Sequence, residues 1–248
     1  MNKILIDKKI ISDSDNVRIE GNKITFLSDG DYFIEYVNSG NYKLNFIINN
    51  DVNIIECSFN NVLDNNNKYT INDGNLIVRK FYDNKTVNEV IDIDLCHSGS
   101  KVNYKFSNIC KENENYTINV NHKACGTESY INNKSVALTD SKLNYVINSN
   151  VTHKAIDSVL DQTTRIVLMG DADTKISPNM YTPLDNVEAR HGSVVGTFSD
   201  DEVFYLMSKG ISYNDTLKLL IKGYLLSNMD IGHDIRKRII DIISVYWR

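Results

Sequence analysis

The first half of the chain is a series of short apolar runs separated by clusters of asparagine, aspartate and glycine. Many runs alternate apolar and polar residues with a period of two, as residues 42–48 do. β-Branched and aromatic residues dominate them, and turn formers such as Asp73-Gly74 divide them. The pattern predicts strands over residues 4–6, 17–19, 24–27, 32–37, 42–48, 52–57, 69–71, 76–79, 90–95, 102–106 and 116–120. This spacing suits a sandwich, a barrel or a solenoid equally well.

Residues 121–173 continue the strand pattern, but histidine, cysteine and threonine now occupy its polar positions. His122 and His153 lie about one coil of a solenoid apart, and Cys125 follows His122 closely. Thiolate and imidazole are ligands for zinc or iron–sulfur centres. A solvated strand face explains the same residues, and the pattern favours that interpretation. Pro178 and Pro183 predict an edge or loop segment, since proline cannot donate within a central ladder.

The C-terminal part changes to helical signals. Ser199 and Glu202 form a capping-box pattern, and Gly210 is placed to end that helix. A second helix is predicted to begin at Ser212, and a last one spans residues 235–247. The first two helices carry more apolar residues than one small core needs. The surplus predicts a partner-binding surface made of Phe204, Tyr205, Leu206, Leu219, Leu220 and Tyr224.

Composition narrows the function. Apolar residues make up 42% of the 248 positions and charged residues 24%, which suits a soluble globular protein. A formal net charge of −5 disfavours nucleic acid as the main partner. No apolar run approaches the ~18 residues of a membrane span, and the N-terminus lacks a signal-peptide pattern. We therefore expect a cytoplasmic protein whose four cysteines are free thiols.

Enzyme motifs are scarce. The phosphate-loop pattern GxxxxGK[ST] does not occur in the sequence, so no nucleotide site of that kind is expected. Paired acids such as Asp171 and Asp173 are explained as turn residues. A carbohydrate-active β-helix enzyme and a purely structural solenoid stay open as alternatives at this point.

One long stretch resembles a known family. The residues are His191-Gly192, Val195-Gly196, Asp201-Glu202, Phe204-Tyr205-Leu206, Ser208-Lys209-Gly210-Ile211-Ser212 and the leucine-rich helix that ends at Leu226. Together they resemble the C-terminal signature of the SufB/SufD family, the scaffold proteins of SUF iron–sulfur cluster assembly. The residues around His191 are closer to the SufD branch. Because the first strand begins at Ile4, the resemblance implies a short member of the family.

The resemblance implies a fold and a role. It implies a mainly β chain with a right-handed parallel β-helix over residues 1–198 and a small helical segment over 199–248. It also implies a non-catalytic scaffold that pairs with a SufB-like chain or with itself. The helices would dock SufC, the ABC-type ATPase of the system, and a transient iron–sulfur cluster would be the cargo.

His191 is the candidate interface residue and metal ligand that the resemblance implies. Ala189-Arg190 stands where family members often have Cys-Ser, so a neighbouring thiolate is missing. Any set of cluster ligands would therefore draw on a partner chain or on the distant Cys125.

Overall fold

The computed structural model describes residues 1–246, which form 18 strands followed by three helices. The strands are β1 (Asn2–Ile6), β2 (Ile10–Ser12), β3 (Val17–Glu20), β4 (Lys23–Phe26), β5 (Gly30–Tyr36), β6 (Gly40–Tyr42), β7 (Asn45–Ile48), β8 (Val52–Phe59), β9 (Val62–Ile71), β10 (Asn75–Asp83), β11 (Thr86–Leu95), β12 (Lys101–Cys110), β13 (Asn113–His122), β14 (Glu128–Leu138), β15 (Lys142–Val151), β16 (Val159–Met169), β17 (Asp173–Tyr181) and β18 (Glu188–Gly196). The helices are α1 (Asp200–Ser208), α2 (Tyr213–Leu226) and α3 (His233–Tyr246). The last residue of the predicted third helix, Trp247, lies outside the described residues.

The strands build a parallel solenoid with two long sheets. Sheet A has the order β18-β16-β14-β12-β10-β8-β5-β1-β2, and sheet B has the order β17-β15-β13-β11-β9-β7-β4-β3, with β6 beside β9. Within the described residues, the pairings are parallel except for β1 with β2 and β3 with β4 at the N-terminal end. The parallel β-helix prediction is confirmed, because a sandwich or meander would pair its strands antiparallel.

The strands differ from the sequence pattern in several places. β9 begins at Val62, well before the predicted 69–71, β2 was not predicted, and the run 42–48 divides into β6 and β7. The interruption has a local cause: the Leu44 backbone N–H donates to the Asn67 side-chain oxygen at 3.2 Å. A side chain therefore replaces the ladder partner at this position.

Period-two alternation places one face of every coil inside the solenoid. The interior is rich in stacked aromatic rings: Phe46 and Tyr69 have centroids 4.6 Å apart, and Tyr116 and Tyr145 are 5.1 Å apart. Each buried aromatic contributes roughly 1.5–3 kcal/mol. These stacks join successive coils, so the apolar core runs along the whole solenoid.

A charged cluster is also fully enclosed. Lys80 Nζ lies 2.7 Å from Glu89 and 2.9 Å from Glu56, and all three side chains have no exposed surface. The Tyr82 and Tyr69 hydroxyls donate to Glu56 at 2.5 and 3.0 Å. Burial raises the pKa of Glu89, while the Lys80 ammonium opposes that shift. One ammonium thus faces two carboxylates inside the core.

The outer face of sheet B carries asparagine ladders. The Asn119 amide donates to Asp92 at 2.8 Å, Asn148 donates to Asn119 at 2.7 Å, and Asn179 donates to Asn148 at 2.9 Å. A parallel row joins Asn150 and its neighbours in the same way. Each coil therefore hydrogen-bonds to the preceding one through side chains as well as backbone.

The helices cover part of the outer face of sheet A. The contact is apolar and consists of strand residues Cys57, Phe81, Ile109, Val136 and Val167 against helix residues Ile221, Leu225, Ile239 and Ile243. This layer explains why strands of sheet A bury residues on both faces, whereas strands of sheet B do not.

Candidate functional site

The predicted helix signals are all present. The Ser199 side chain accepts from the Glu202 N–H, and the Glu202 carboxylate accepts from the Ser199 N–H. Gly210 follows α1 with φ +85°, a conformation that glycine adopts without strain. Ser212 caps α2 by accepting from the Asp215 N–H. Two short helices with a tight turn therefore follow directly on the last strand.

The helix pair exposes large apolar side chains. Phe204 is 74% exposed, Tyr205 60% and Leu219 50%. Leu206 and Leu220 are half-buried, and no residue of α1 over Asp200–Ser208 is buried. Exposure of these apolar side chains to water is unfavourable in free energy, and burial against a partner would remove that cost. We call Phe204, Tyr205 and Leu219 the helical surface.

Tyr224 occupies a different environment from the helical surface. Its hydroxyl donates to the Arg165 carbonyl oxygen at 2.5 Å, and its ring lies edge-on to Phe198 at 6.1 Å. Burial raises its pKa well above the ordinary value. Tyr224 therefore fixes α2 to the solenoid, and its predicted docking role stays a prediction.

α1 lies beside a groove and contributes only the half-buried Val203 to the apolar layer on sheet A. The groove has a volume of about 440 Å³, and its lining includes Phe198, Val203, Tyr213, Leu217 and Met169 of β16. Only residues 197–199 separate α1 from β18. α1 therefore follows the last strand of sheet A almost without a linker.

The C-terminal end of the solenoid is open. β17 and β18 are the final strands of their sheets, so within residues 1–246 each has one side without a partner strand. Eight of the nine residues of β18 are exposed, including Val194 and Val195. Unpaired strand edges of this kind invite pairing with another chain.

His191 lies in the middle of this open strand. It is the register partner of Gln162, whose amide is buried and donates to Ser149 at 2.7 Å. Register partners share a sheet face, so His191 continues an interior row onto β18, where it is exposed. A Cβ at the neighbouring Gly192 would meet no atom within 4 Å. The imidazole is therefore accessible from outside the chain.

The structure does not bring Cys125 to His191. Cys125 lies in the turn between β13 and β14, and β14 is separated from β18 by β16. Two strand spacings of about 4.8 Å alone put the residues about 10 Å apart. Among the described residues, no group of three or more histidine, cysteine or acidic side chains could hold a metal ion.

His122 is excluded as an accessible ligand by its surroundings. Its two ring nitrogens lie 2.8 Å from the Thr127 hydroxyl and 2.9 Å from the Ser129 hydroxyl. Burial lowers its pKa to about 4, so the ring is neutral inside the solenoid. His122 is a satisfied core histidine.

Fold and site together define a class: a two-sheet parallel β-solenoid with a C-terminal helical layer and an open end. Residues 62–224 match the family described as SUF system FeS cluster assembly, SufBD core domain. This match covers more than half of the chain, and the chain belongs to the SufBD family.

Individual relatives agree with this assignment. The chain is 27% identical over 132 residues to the iron–sulfur cluster assembly protein SufD of Escherichia coli, covering 45% of this chain and 31% of the relative. It is 26% identical over 116 residues to SufD of Bacillus subtilis, covering 46% and 26%. A SufBD family protein of Pyrococcus horikoshii is 26% identical over 99 residues, covering 40% and 21%. The match thus spans less than a third of each of these relatives.

No helix among the described residues is long and apolar enough to cross a membrane. All four cysteines are free thiols, as the sequence predicts, with Cys57 and Cys110 buried. Burial raises the pKa of both buried thiols, which keeps them protonated and unreactive.

Proposed function

We propose that this chain is a SufD-like, non-catalytic scaffold component of cytoplasmic iron–sulfur cluster assembly. The helical surface would dock a SufC-like ABC ATPase, and the open solenoid end would pair with a SufB-like chain or with a second copy. The cargo is a transient iron–sulfur cluster held between chains. Family membership supports the cluster-assembly role.

The observation that carries the proposal is the attachment of the helical surface to the open strand. Phe204 and Tyr205 lie on a helix without buried residues, which follows β18 after three residues. Nucleotide-driven movement of a docked ATPase would shift α1 beside its groove and pull on β18. That strand carries His191, so docking and cargo handling are mechanically linked.

A carbohydrate-active enzyme and a purely structural solenoid are the competing functions. The first predicts glycan cleavage by the isolated chain, and the second predicts no specific partner. Co-purification of the chain with an endogenous ABC ATPase supports the scaffold function. A chain that is recovered alone and cleaves a glycan would end it.

The docking surface is tested with charge-introducing variants. Tyr205→Asp and Leu219→Asp should each weaken ATPase binding about tenfold or more, because an interface anchor is replaced by a carboxylate. Val62→Asp is the matched control, since Val62 is 48% exposed and lies on sheet B. Binding is measured by calorimetry and folding by circular dichroism. Parent-like affinity in both folded helix variants would place the dock elsewhere.

A further inference from the structure

The outer face of sheet A carries a diagonal row of four cations at the margin of the helical layer: Arg79, Lys105, Lys134 and Arg165. We call it the basic stripe. Arg79, Lys134 and Arg165 each come two residues before a side chain that the helices cover. All four cations are half-buried. Their proximity comes from strand register, so sequence periodicity did not reveal it.

Like charges are direct neighbours in the stripe. Arg79 on β10 is the register partner of Lys105 on β12, and Lys134 on β14 is the partner of Arg165 on β16. Like charges directly opposite each other destabilise a sheet. The chain has more acidic residues (32) than basic ones (27), so a general excess of cations does not explain a cluster of four here.

The described residues give these cations little counter-charge. The one ion pair with a stripe residue joins Arg79 to Asp230 at 3.9 Å, and Asp230 is 95% exposed. Arg79 Nε is buried without an acceptor in this part of the chain. Lys134 donates to the neutral Ser227 hydroxyl at 2.6 Å. Burial, followed by the charges of Arg165 and Lys105, lowers the pKa of Lys134.

The end of α2 accounts for part of the stripe at most. The Lys134 and Arg165 charges lie 5.5 and 5.4 Å from the Tyr224 ring, in the last turn of α2. A helix C-terminus carries roughly half a negative charge, which favours cations beside it. That half charge does not balance four cations, and the terminus does not explain Arg79 or Lys105.

We propose that the basic stripe binds an extended acidic segment of a partner protein. The stripe consists of two cation pairs on diagonal positions of the sheet, which are about 7–8 Å apart. Alternate side chains of an extended chain are about 7 Å apart, so two carboxylates with one residue between them match the two pairs. The Arg165 guanidinium at one end of the stripe suits a bidentate carboxylate contact.

The stripe shares no residue with the helical surface, so its test is independent of ATPase docking. The probe is a fluorescein-labelled hexaglutamate peptide, with hexaglutamine as the neutral reference, followed by fluorescence anisotropy at low ionic strength. Lys105→Gln/Arg165→Gln should weaken hexaglutamate binding about tenfold or more. Lys142→Gln/Lys175→Gln is the control, because both lysines are exposed on sheet B and the net charge changes equally.

Several outcomes would overturn the proposal: equal binding of hexaglutamine by the parent, an equal loss in the sheet B control, or binding of inorganic triphosphate without hexaglutamate binding. Thermal melting gives a second readout. The stripe variant should melt no lower than the parent, since repulsion is relieved, and the peptide should raise the parent midpoint alone. A stripe variant that melts several degrees lower would make the cations structural and contradict a binding role.

Discussion

Tyr224 and Arg165 link the helical layer to the solenoid through one hydrogen bond, 2.5 Å long, from the tyrosine hydroxyl to the arginine carbonyl oxygen. The bond fixes the last turn of α2 against β16. Tyr224 therefore holds the helices on the solenoid, whereas the residues of the helical surface are exposed to water.

Removing this bond should lower the stability of the folded chain. Tyr224→Phe keeps the ring contact with Phe198 but loses the hydroxyl, and we expect a loss of about 0.5–1.5 kcal/mol in the free energy of unfolding. Tyr205→Phe is the matched control, because Tyr205 is 60% exposed and should change stability little. Urea unfolding measures both. A Tyr224→Phe protein as stable as the parent would show that the bond contributes nothing.

Association through the open end can be tested with two prolines. Successive N–H groups of a strand point to opposite sides, so of Val194→Pro and Val195→Pro one removes a donor to β16 and the other a donor on the free edge. We expect one variant to melt earlier and the other to keep its melting point but associate more weakly in light scattering. If neither variant changes the measured mass, the edge of β18 is not the interface.

The buried charge cluster gives a strong stability prediction. Lys80→Met leaves Glu56 and Glu89 without their cation, and we expect a loss of about 3–5 kcal/mol. Adding Glu89→Gln should recover part of it, because one buried charge is removed. Lys85→Met is the exposed control. The midpoints of denaturant unfolding measure these stability changes. A double variant less stable than Lys80→Met would contradict an explanation by charge balance.

Glu114 should make stability fall as pH rises. Burial raises its pKa from the ordinary 4.5 to about 8, although the Tyr116 hydroxyl and Asn108 amide oppose the shift. Because the folded pKa is the higher one, the stabilisation is complete below pH 4.5 and is lost as pH rises towards 8. The whole effect is roughly 4–5 kcal/mol.

The measurement belongs between about pH 7.5 and 8, because His122, whose pKa falls from 6.5 to about 4 on burial, is then largely neutral in the unfolded as well as the folded state. Glu114→Gln should flatten the pH dependence of the free energy of unfolding in this window. Glu112→Gln, at an exposed position, should not. An unchanged slope in the Glu114 variant would contradict a protonated carboxyl.

Local patterns predicted the elements well. The helix starts at Ser199 and Ser212 and the end at Gly210 depend on side chains within three residues, so the sequence contains the whole signal. The choice of a solenoid came from the family resemblance. The coils differ in length, with ladder bonds spanning 24, 27, 29 and 31 residues, and this irregularity hides the repeat.

Contacts between coils were beyond the sequence pattern. Lys80 reads as an outward polar residue, yet it faces inward in alternation with Val78 and Tyr82 and meets Glu56 of the preceding coil. Tyr205 in α1 and Tyr224 in α2 are both tyrosines of short apolar helices, but Tyr224 bonds to β16 and Tyr205 is exposed. Such pairs depend on the register between strands that are distant in sequence, and a short stretch of sequence does not contain that information.

The asparagine ladders make two neighbouring strands of sheet B, β13 and β15, equivalent in their outward side chains. Asn113 pairs with Lys142, and the following strand repeats the ladder positions, with Asn148 matching Asn119 and Asn150 matching Asn121. If residues 113–141 were absent, β15 would meet β11 with asparagine still opposite Asp92 and Asp94. Interior Tyr145 and Ile147 would likewise take the places of Tyr116 and Ile118. On sheet B, β13 and β15 are therefore equivalent units, because either strand presents the same ladder and interior side chains to β11.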